Sequence, residues 1–167
     1  VDTDLYNPTR CSDRLRQIWG VAGEGPVCLY VGRIAAEKNL ALVRKTFAAI
    51  QVWHPGAKMV WVGDGPSAKQ LAIDHPDHYF AGMRIGDDLA AHYASADLFL
   101  FPSLTETYGN VVAEAMASGL PVMAYRSAAA AELIVQQQNG MVASPGDERG
   151  YVEGALWLLE ESARLND

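Results

Sequence analysis

The chain is predicted to fold as one doubly wound α/β domain, a Rossmann-like parallel sheet with helices on both faces. Short apolar runs of strand length alternate with helically spaced segments along the whole chain, which is typical of βαβ units. The 167 residues, half of them hydrophobic, are enough for a single core. Neither an internal repeat nor a low-complexity linker divides the sequence.

The apolar runs predict about six strands, and the segments between them predict helices. Strands are expected at 26–32, 57–63, 78–82, 96–101, 120–125 and 140–143. Helices are expected at 39–53, 66–74, 87–95, 110–118, about 129–136 and 147–163. The first, second and fourth strands are nearly all apolar, which indicates that they are central in a parallel sheet.

Proline and glycine support several of these boundaries. Pro66 is expected at the first position of the second helix, where a missing N–H is tolerated. Pro102 ends the fourth strand, and Gly119 follows the apolar helix 110–118 as a typical terminator. Three tryptophans are interpreted as packing residues rather than stacking platforms: Trp53, Trp61 and Trp157.

Composition and charge exclude several classes of protein. A net charge of −7 and a pI near 5.0 argue against a broad nucleic-acid surface, which needs clustered Lys and Arg. Cys11 and Cys28 form neither a disulfide framework nor a metal set, so a reducing cytosol is favoured. No apolar run approaches the ~20 residues of a membrane span, and the start is not a signal peptide.

Residues that bind ligands are expected just after the strands, because parallel sheets bind ligands at the carboxyl ends of their strands. After the first strand, Gly32 allows a tight exit, and Arg33 and Lys38 lie before the next helix. An Arg fork and a Lys point charge suit a diphosphate. The alternative is that Lys38 pairs with Glu37 or caps the sheet edge.

The stretch "GDGPS" follows the second strand. Gly63 and Gly65 on either side of Asp64 allow a turn and a close approach of backbone. The stretch is not G-x-G-x-x-G followed by an acidic residue, so a classical dinucleotide fingerprint is not supported. Taken alone, it indicates little more than a turn.

The stretch "SLTETYGNVVAEAMASGLPV" follows the fourth strand and places Glu106 and Glu114 on either side of a helix start. The free N–H groups at such a start bind anions, and Gly109 would let a phosphate approach the backbone. Glu114 lies about one turn further along, where its carboxylate would accept the two ribose hydroxyls of a nucleotide. Glu106 is repelled by phosphates, so it is expected to face the neutral hydroxyls of an attached sugar.

Several stretches, in order, resemble one family. "VDTDLYNP", "YVGRIAAEKN", "VGDGP" and "ADLFLFPSLTETYGNVVAEAMASGLPV" resemble the C-terminal, nucleotide-sugar-binding domain of family 4 retaining glycosyltransferases with the GT-B fold. The E-x7-E motif of that family is present as Glu106 and Glu114. Within the family, "LTETYGN" followed by "AAAAEL" is most similar to bacterial GDP-mannose-dependent α-mannosyltransferases.

The resemblance implies a role for each matching residue. Arg33, Lys38 and Glu106 would act in catalysis: the cations hold the donor diphosphate as it leaves, and Glu106 contacts the transferred sugar. Glu114 would bind the ribose. Other residues would complete the donor site: the glycines Gly32, Gly63 and Gly65, the nucleobase loop Met83 and Arg84, and the phosphate-binding backbone of Tyr108, Gly109, Asn110 and Val111. The family uses no cofactor and no metal, and the chain has no Asp-x-Asp pair.

The resemblance also implies a domain organisation and partners. Residues 1–8 would be the remnant of an interdomain linker and 9–167 the donor-binding domain, with the N-terminal acceptor domain absent. The donor would be GDP-mannose, or otherwise UDP-glucose, and the lone domain would bind it without transferring sugar. The full-length enzyme would be cytoplasmic, with any contact to the inner membrane face made through the missing domain.

Other residues and functions fit this interpretation less well. Alanines replace a usual glycine pair before Glu132, so that residue is not assigned a ligand contact. "HPDH" (75–78) is interpreted as solvated polarity rather than a metal site, and His92 as surface or packing. Two alternatives are a nucleotide-sugar epimerase built on the same halves and a non-catalytic nucleotide-binding α/β module; a receiver domain is excluded by Gly-Arg at the end of the first strand.

Overall fold

Six short apolar strands pair in parallel in the computed structural model, which describes residues 1–21, 25–104, 110–127, 130 and 133–165. They are β1 (Val27–Val31), β2 (Lys58–Val62), β3 (Tyr79–Gly82), β4 (Leu98–Phe101), β5 (Val122–Tyr125) and β6 (Gly140–Ala143). Their order across the sheet is β3-β2-β1-β4-β5-β6. This is the doubly wound Rossmann order, so the predicted fold class is confirmed.

Helices connect the strands, as βαβ topology requires. They are α1 (Asp13–Ile18), α2 (Leu40–Trp53), α3 (Ala68–Asp74), α4 (Gly86–Ser95), α5 (Asn110–Ala117) and α6 (Glu148–Leu165), with 3-10 turns at Pro8–Arg10 and Ala36–Lys38. The sequence did not predict α1, whose Ser12 cap accepts a hydrogen bond from the Leu15 N–H at 3.2 Å. The helix predicted at about 129–136 lies partly outside the described residues.

The centre of the sheet is the core of the domain. Every residue of β1 and β4 is buried, and β1 pairs with both β2 and β4, for example Leu29 with Val60 and Cys28 with Leu98. Burial of each such side chain stabilises the fold by about 1.5–3 kcal/mol. The apolar character of the first, second and fourth predicted strands therefore identified the sheet centre correctly.

Some local interpretations were wrong. Pro66 lies before α3 rather than at its first position, since the helix begins at Ala68 after Ser67. Trp53 is 72% exposed at the end of α2, whereas Trp61 is fully buried as expected. "HPDH" is not uniformly solvated, because His78 is only 8% exposed.

His78 is buried because it completes an aromatic cluster. Trp61 Nε1 donates a hydrogen bond to His78 Nδ1 at 3.1 Å, and the His78 ring packs edge-on against Phe47. An indole N–H can only donate, so His78 must accept with an unprotonated Nδ1. Burial lowers the pKa of His78 to about 4.

We expect His78 to make the fold sensitive to acid. An unfolded chain protonates histidine near pH 6.5, whereas the native pKa of His78 is about 4. Between these two pH values the unfolded state therefore binds more protons than the native state. The free energy of unfolding should fall by on the order of 2–3 kcal/mol as the pH drops from about 6.5 to about 4. In urea titrations between pH 7 and pH 4, His78→Gln, which keeps an acceptor, should show a flatter pH dependence. Equal slopes for the two proteins would show that His78 is not the cause.

Candidate functional site

The strand order locates a crevice at the carboxyl edge of the sheet. The chain proceeds from β1 outward to β2 and β3 on one side, and from β4 outward to β5 and β6 on the other. Neighbouring strands β1 and β4 therefore lead into connections on opposite sides, which opens a crevice outside their carboxyl ends. The residues that follow β1 and β4 are the ones that this topology places at a ligand.

A cleft of about 410 Å³ lies at this edge, beyond the ends of β1, β2 and β3. It brings together five of the residues predicted from sequence: Gly32, Arg33, Gly63, Met83 and Arg84. Asp64, between the two glycines of "GDGPS", also lines it. The size of the cleft is within the range of pockets that bind small molecules.

Backbone hydrogen bonds join the loops that form the floor of this cleft. Gly32 N–H donates to the Val62 carbonyl at 3.0 Å, and Gly63 N–H donates to the Gly82 carbonyl at 2.9 Å. Gly63 has φ 137°, and a Cβ placed on it would collide with the carbonyl oxygen of Gly32. Glycine is therefore required here by the close approach of two backbones.

Arg33 supplies an accessible positive charge at the cleft. Its main chain is held by Tyr30, whose hydroxyl donates to the Arg33 carbonyl at 2.7 Å. Its side chain is 62% exposed, with Nε 3.5 Å from Glu37 Oε1. An exposed ion pair of this kind contributes little stability, so the guanidinium can exchange it for an anionic ligand at small cost. Lys38 ends the 3-10 turn Ala36–Lys38 a few residues further along.

Arg84 and Met83 form the opposite wall. The Arg84 side chain is fixed by two bonds, from Nε to the Ala81 carbonyl at 2.9 Å and from Nη1 to Asp88 Oδ2 at 2.8 Å. Met83 beside it is 71% exposed. The wall thus combines an oriented guanidinium with an exposed apolar side chain. Together these two side chains can contact a planar ring at its edge and on its face.

Glu114 lies on α5, the helix that follows β4. Its side chain is partly buried. Burial raises the pKa of Glu114, while the nearby Tyr6 hydroxyl and the Val1 α-amino group act in the opposite direction. Burial, followed by the neighbouring Glu114 carboxylate, raises the pKa of Tyr6 to about 12. Sequence reasoning missed Tyr6, because its segment was interpreted as a linker.

Gly65 is not among the residues that line the cleft, and a Cβ on it would collide with the Ile34 carbonyl oxygen. The other predicted residues divide into two groups. Asn110 and Val111 form the first turn of α5. Glu106, Tyr108 and Gly109 lie outside the described residues.

Comparison with known proteins identifies the family. The family described as "Glycosyl transferases group 1" matches residues 25–161. The chain belongs to this family.

Two similar curated proteins support the family assignment. The chain is 35% identical to sulfoquinovosyl transferase SQD2 of Arabidopsis thaliana, over 96% of its own length and 32% of the relative's. It is 34% identical to a GDP-mannose-dependent α-mannosyltransferase of Corynebacterium glutamicum, over 97% of its own length and 38% of the relative's. The chain therefore spans about a third of the length of these two curated relatives.

Solved structures agree on the fold. The chain is similar to the structure of Anabaena HepE in complex with UDP-glucose, with a TM-score of 0.73, 24% identity, and coverage of 99% of this chain and 55% of HepE. The predicted GT-B type of Rossmann-like domain is thereby confirmed for this group 1 chain.

A cluster of potential metal ligands lies away from the cleft. Among the described residues, His75, Asp77 and His78 have ligand atoms within 4.8 Å of one another. They lie just before β3, at the opposite end of that strand from Met83 and Arg84. The bond from Trp61 also occupies His78 Nδ1 and leaves its Nε2 protonated, which opposes metal binding. No helix within the described ranges is both long and apolar enough to cross a membrane.

Gly63→Ala should disrupt the cleft floor. The added methyl group would meet the Gly32 backbone, so we expect a loss of about 3 kcal/mol or more in the free energy of unfolding. Gly146→Ala is the matched control, since Gly146 also has a positive φ, 88°, but open space around it. The control should lose only about 1–2 kcal/mol. Urea denaturation of both variants measures the difference, and equal losses would contradict the close-approach explanation.

Proposed function

We propose that the chain binds the nucleotide-diphosphate-sugar donor of a retaining hexosyltransferase. The observation that carries the proposal is the cleft at the carboxyl ends of β1 to β3, where Arg33 and Arg84 meet the tight glycine backbone of Gly32 and Gly63. Membership of the group 1 glycosyl transferases supports a sugar-transfer function. The complex of HepE with UDP-glucose supports a nucleotide-sugar as the ligand class.

Arg33 and Lys38 would bind the donor diphosphate. Transfer breaks the bond between the anomeric carbon of the sugar and a diphosphate oxygen, and the electron pair leaves with the diphosphate. Cations placed before the reaction stabilise that developing charge without further reorganisation. The N–H groups at the start of α5, at Asn110 and Val111, would add positive potential. This arrangement would not require a metal ion, and the proposal therefore includes sugar transfer without one.

The two carboxylates of the E-x7-E motif would bind neutral hydroxyls. Glu114 would accept the ribose hydroxyls, since an ionised carboxylate accepts bidentate hydrogen bonds. Glu106 would contact the transferred sugar, and the backbone of Tyr108 and Gly109 would contact its phosphate. Neither Glu106 nor Glu114 is proposed as the group that transfers a proton.

GDP-mannose is the first donor to test and UDP-glucose the second. The mannosyltransferase relative favours the former, and HepE favours the latter. The full-length protein would be a cytoplasmic family 4 enzyme, with the acceptor bound by an N-terminal domain that faces this one across the cleft. The epimerase and the non-catalytic module are not favoured, because the curated relatives are named as transferases.

Calorimetric titration with GDP, UDP and ADP tests the binding proposal. At least one diphosphate should bind with a dissociation constant below the millimolar range. Lys38→Ala and Glu114→Ala should each weaken that binding by about tenfold or more, because each removes a hydrogen bond to a charged group.

Matched controls for these variants lie away from the cleft. Lys45 on α2 pairs with Glu148, and Glu153 on α6 pairs with Arg149, at 3.0 Å in both cases. Lys45→Ala and Glu153→Ala should leave the affinity unchanged. If no diphosphate binds below the millimolar range and Lys38→Ala and Glu114→Ala behave like their controls, the proposed donor site is wrong.

Nucleotide affinity should also depend on the ionisation of Glu114. Burial raises the pKa of Glu114 above its ordinary value. The carboxylate should therefore take up a proton at a higher pH than an ordinary glutamate, and affinity should fall as the pH decreases through that value. Glu114→Gln, which cannot titrate, should bind more weakly at neutral pH but with a flatter pH profile. Parallel profiles from titrations between pH 7.5 and pH 4.5 would contradict this role.

A further inference from the structure

A layer of aromatic rings lies near the carboxyl ends of the three central strands. Tyr30 of β1 is fully buried and is paired in register with Trp61 of β2. Its ring packs on Trp61, with 5.3 Å between ring centroids, and on Phe101 at the end of β4, with 6.1 Å. The position of the Tyr30 ring is therefore fixed from both neighbouring strands.

The hydroxyl of Tyr30 leads from this apolar layer to the cleft. A buried phenol needs a hydrogen-bond partner, and this hydroxyl donates to the Arg33 carbonyl at 2.7 Å. Burial raises the pKa of Tyr30, so the hydroxyl keeps its proton and remains a donor at neutral pH. A fully buried side chain is thus bonded to the main chain of a residue that lines the cleft.

Gly32 allows the chain to pass close to this hydroxyl on the way to Arg33. Gly32 has φ 151°, and a Cβ placed on it would lie only 3.2 Å from the Tyr30 hydroxyl oxygen. A side chain at this position would be crowded against the phenol. The glycine and the tyrosine are therefore matched to each other.

The loop that carries Arg33 is fixed along its main chain but not at its guanidinium. The N–H groups of Gly32 and Ile34, on either side of Arg33, donate to carbonyls at and just beyond the end of β2, at 3.0 and 2.9 Å. The bond from Tyr30 adds a third attachment at Arg33 itself. The Arg33 side chain is 62% exposed. Because the main chain is already ordered, chiefly side-chain entropy is lost when a ligand binds the guanidinium.

We propose that Tyr30 is a positioning residue, which fixes the Arg33 main chain so that the guanidinium meets the diphosphate of a bound nucleotide. The proposal rests on the proposed function to the extent that Arg33 is a diphosphate-binding residue. Since Tyr30 is fully buried, it acts through Arg33 rather than by contact with the nucleotide.

Tyr30→Phe tests the proposal, because it keeps the packed ring and removes only the hydroxyl. Tyr151→Phe is the matched control. Tyr151 of α6 is also fully buried, and its hydroxyl donates to the carbonyl of Met123, in β5 rather than beside the cleft, at 2.9 Å. Each variant loses one buried hydrogen bond to a carbonyl, so the two should show similar shifts of the urea midpoint.

The 167-residue chain and its variants would be titrated with GDP and UDP. Tyr30→Phe should weaken the binding of the preferred diphosphate by about three- to tenfold, the effect of one hydrogen bond, and Tyr151→Phe should leave it unchanged. When Arg33→Ala is already present, Tyr30→Phe should cause no further loss, since its effect passes through Arg33. Equal affinities of Tyr30→Phe and Tyr151→Phe, or a full further loss in Arg33→Ala, would overturn the positioning role.

A second readout needs no nucleotide. Hydrogen exchange of the Ile34 amide reports local opening of the loop that carries Arg33. Tyr30→Phe should accelerate this exchange more than Tyr151→Phe does, although both variants lose a buried hydrogen bond. Equal exchange rates in the two variants would show that the Tyr30 hydroxyl does not fix the loop, and would overturn the proposal.

Arg33→Ala separates the positioning role from the proposed function. If Arg33→Ala weakens diphosphate binding and Tyr30→Phe does not, the positioning role is wrong while the proposed function stands. If the wild type binds a diphosphate and Arg33→Ala binds it equally well, the diphosphate role of Arg33 and the positioning role are both overturned. Failure of the wild type to bind either diphosphate would contradict the proposed function itself, and the positioning role with it.

Discussion

The close approach of the backbone after β1 to the backbone after β2 is the constraint on which the candidate site depends. The carbonyl of Gly32 occupies the space that a side chain at Gly63 would need. Because the two loops meet without side chains between them, Arg33 and the loop after β3 face a common cleft. Larger residues would separate the loops and move the Arg33 charge away from the opposite wall.

The other half of the proposed site depends on helix α5. Glu114 lies within this helix, which follows the fourth strand, and its side chain is partly buried. Residue 114 carries a charge in a half-buried position, which is costly unless the carboxylate is hydrogen-bonded.

Much of the fold could be predicted from the sequence, because the buried strands are continuous apolar runs and the helices between them are periodic. The six residues of α1 are too short to show a period, so this helix was missed. The cleft residues could be predicted because topology places every strand's carboxyl end at one edge. Burial of His78 could not, since it depends on a partner chosen by packing, the indole of Trp61.

A second groove is similar in size to the cleft, so the claim that nucleotide binds in the cleft can be tested by locating the bound nucleotide. It measures about 420 Å³ and lies between α2 and α3, with Arg44 and Gln70 among its lining residues. The deciding measurement is a map of ¹⁵N–¹H amide shift changes as GDP or UDP is added to the labelled chain. The account predicts saturable changes at Gly32 and Gly63 and at the first turn of α5, from Asn110. Changes confined to the groove between α2 and α3, or none at millimolar nucleotide, would contradict it.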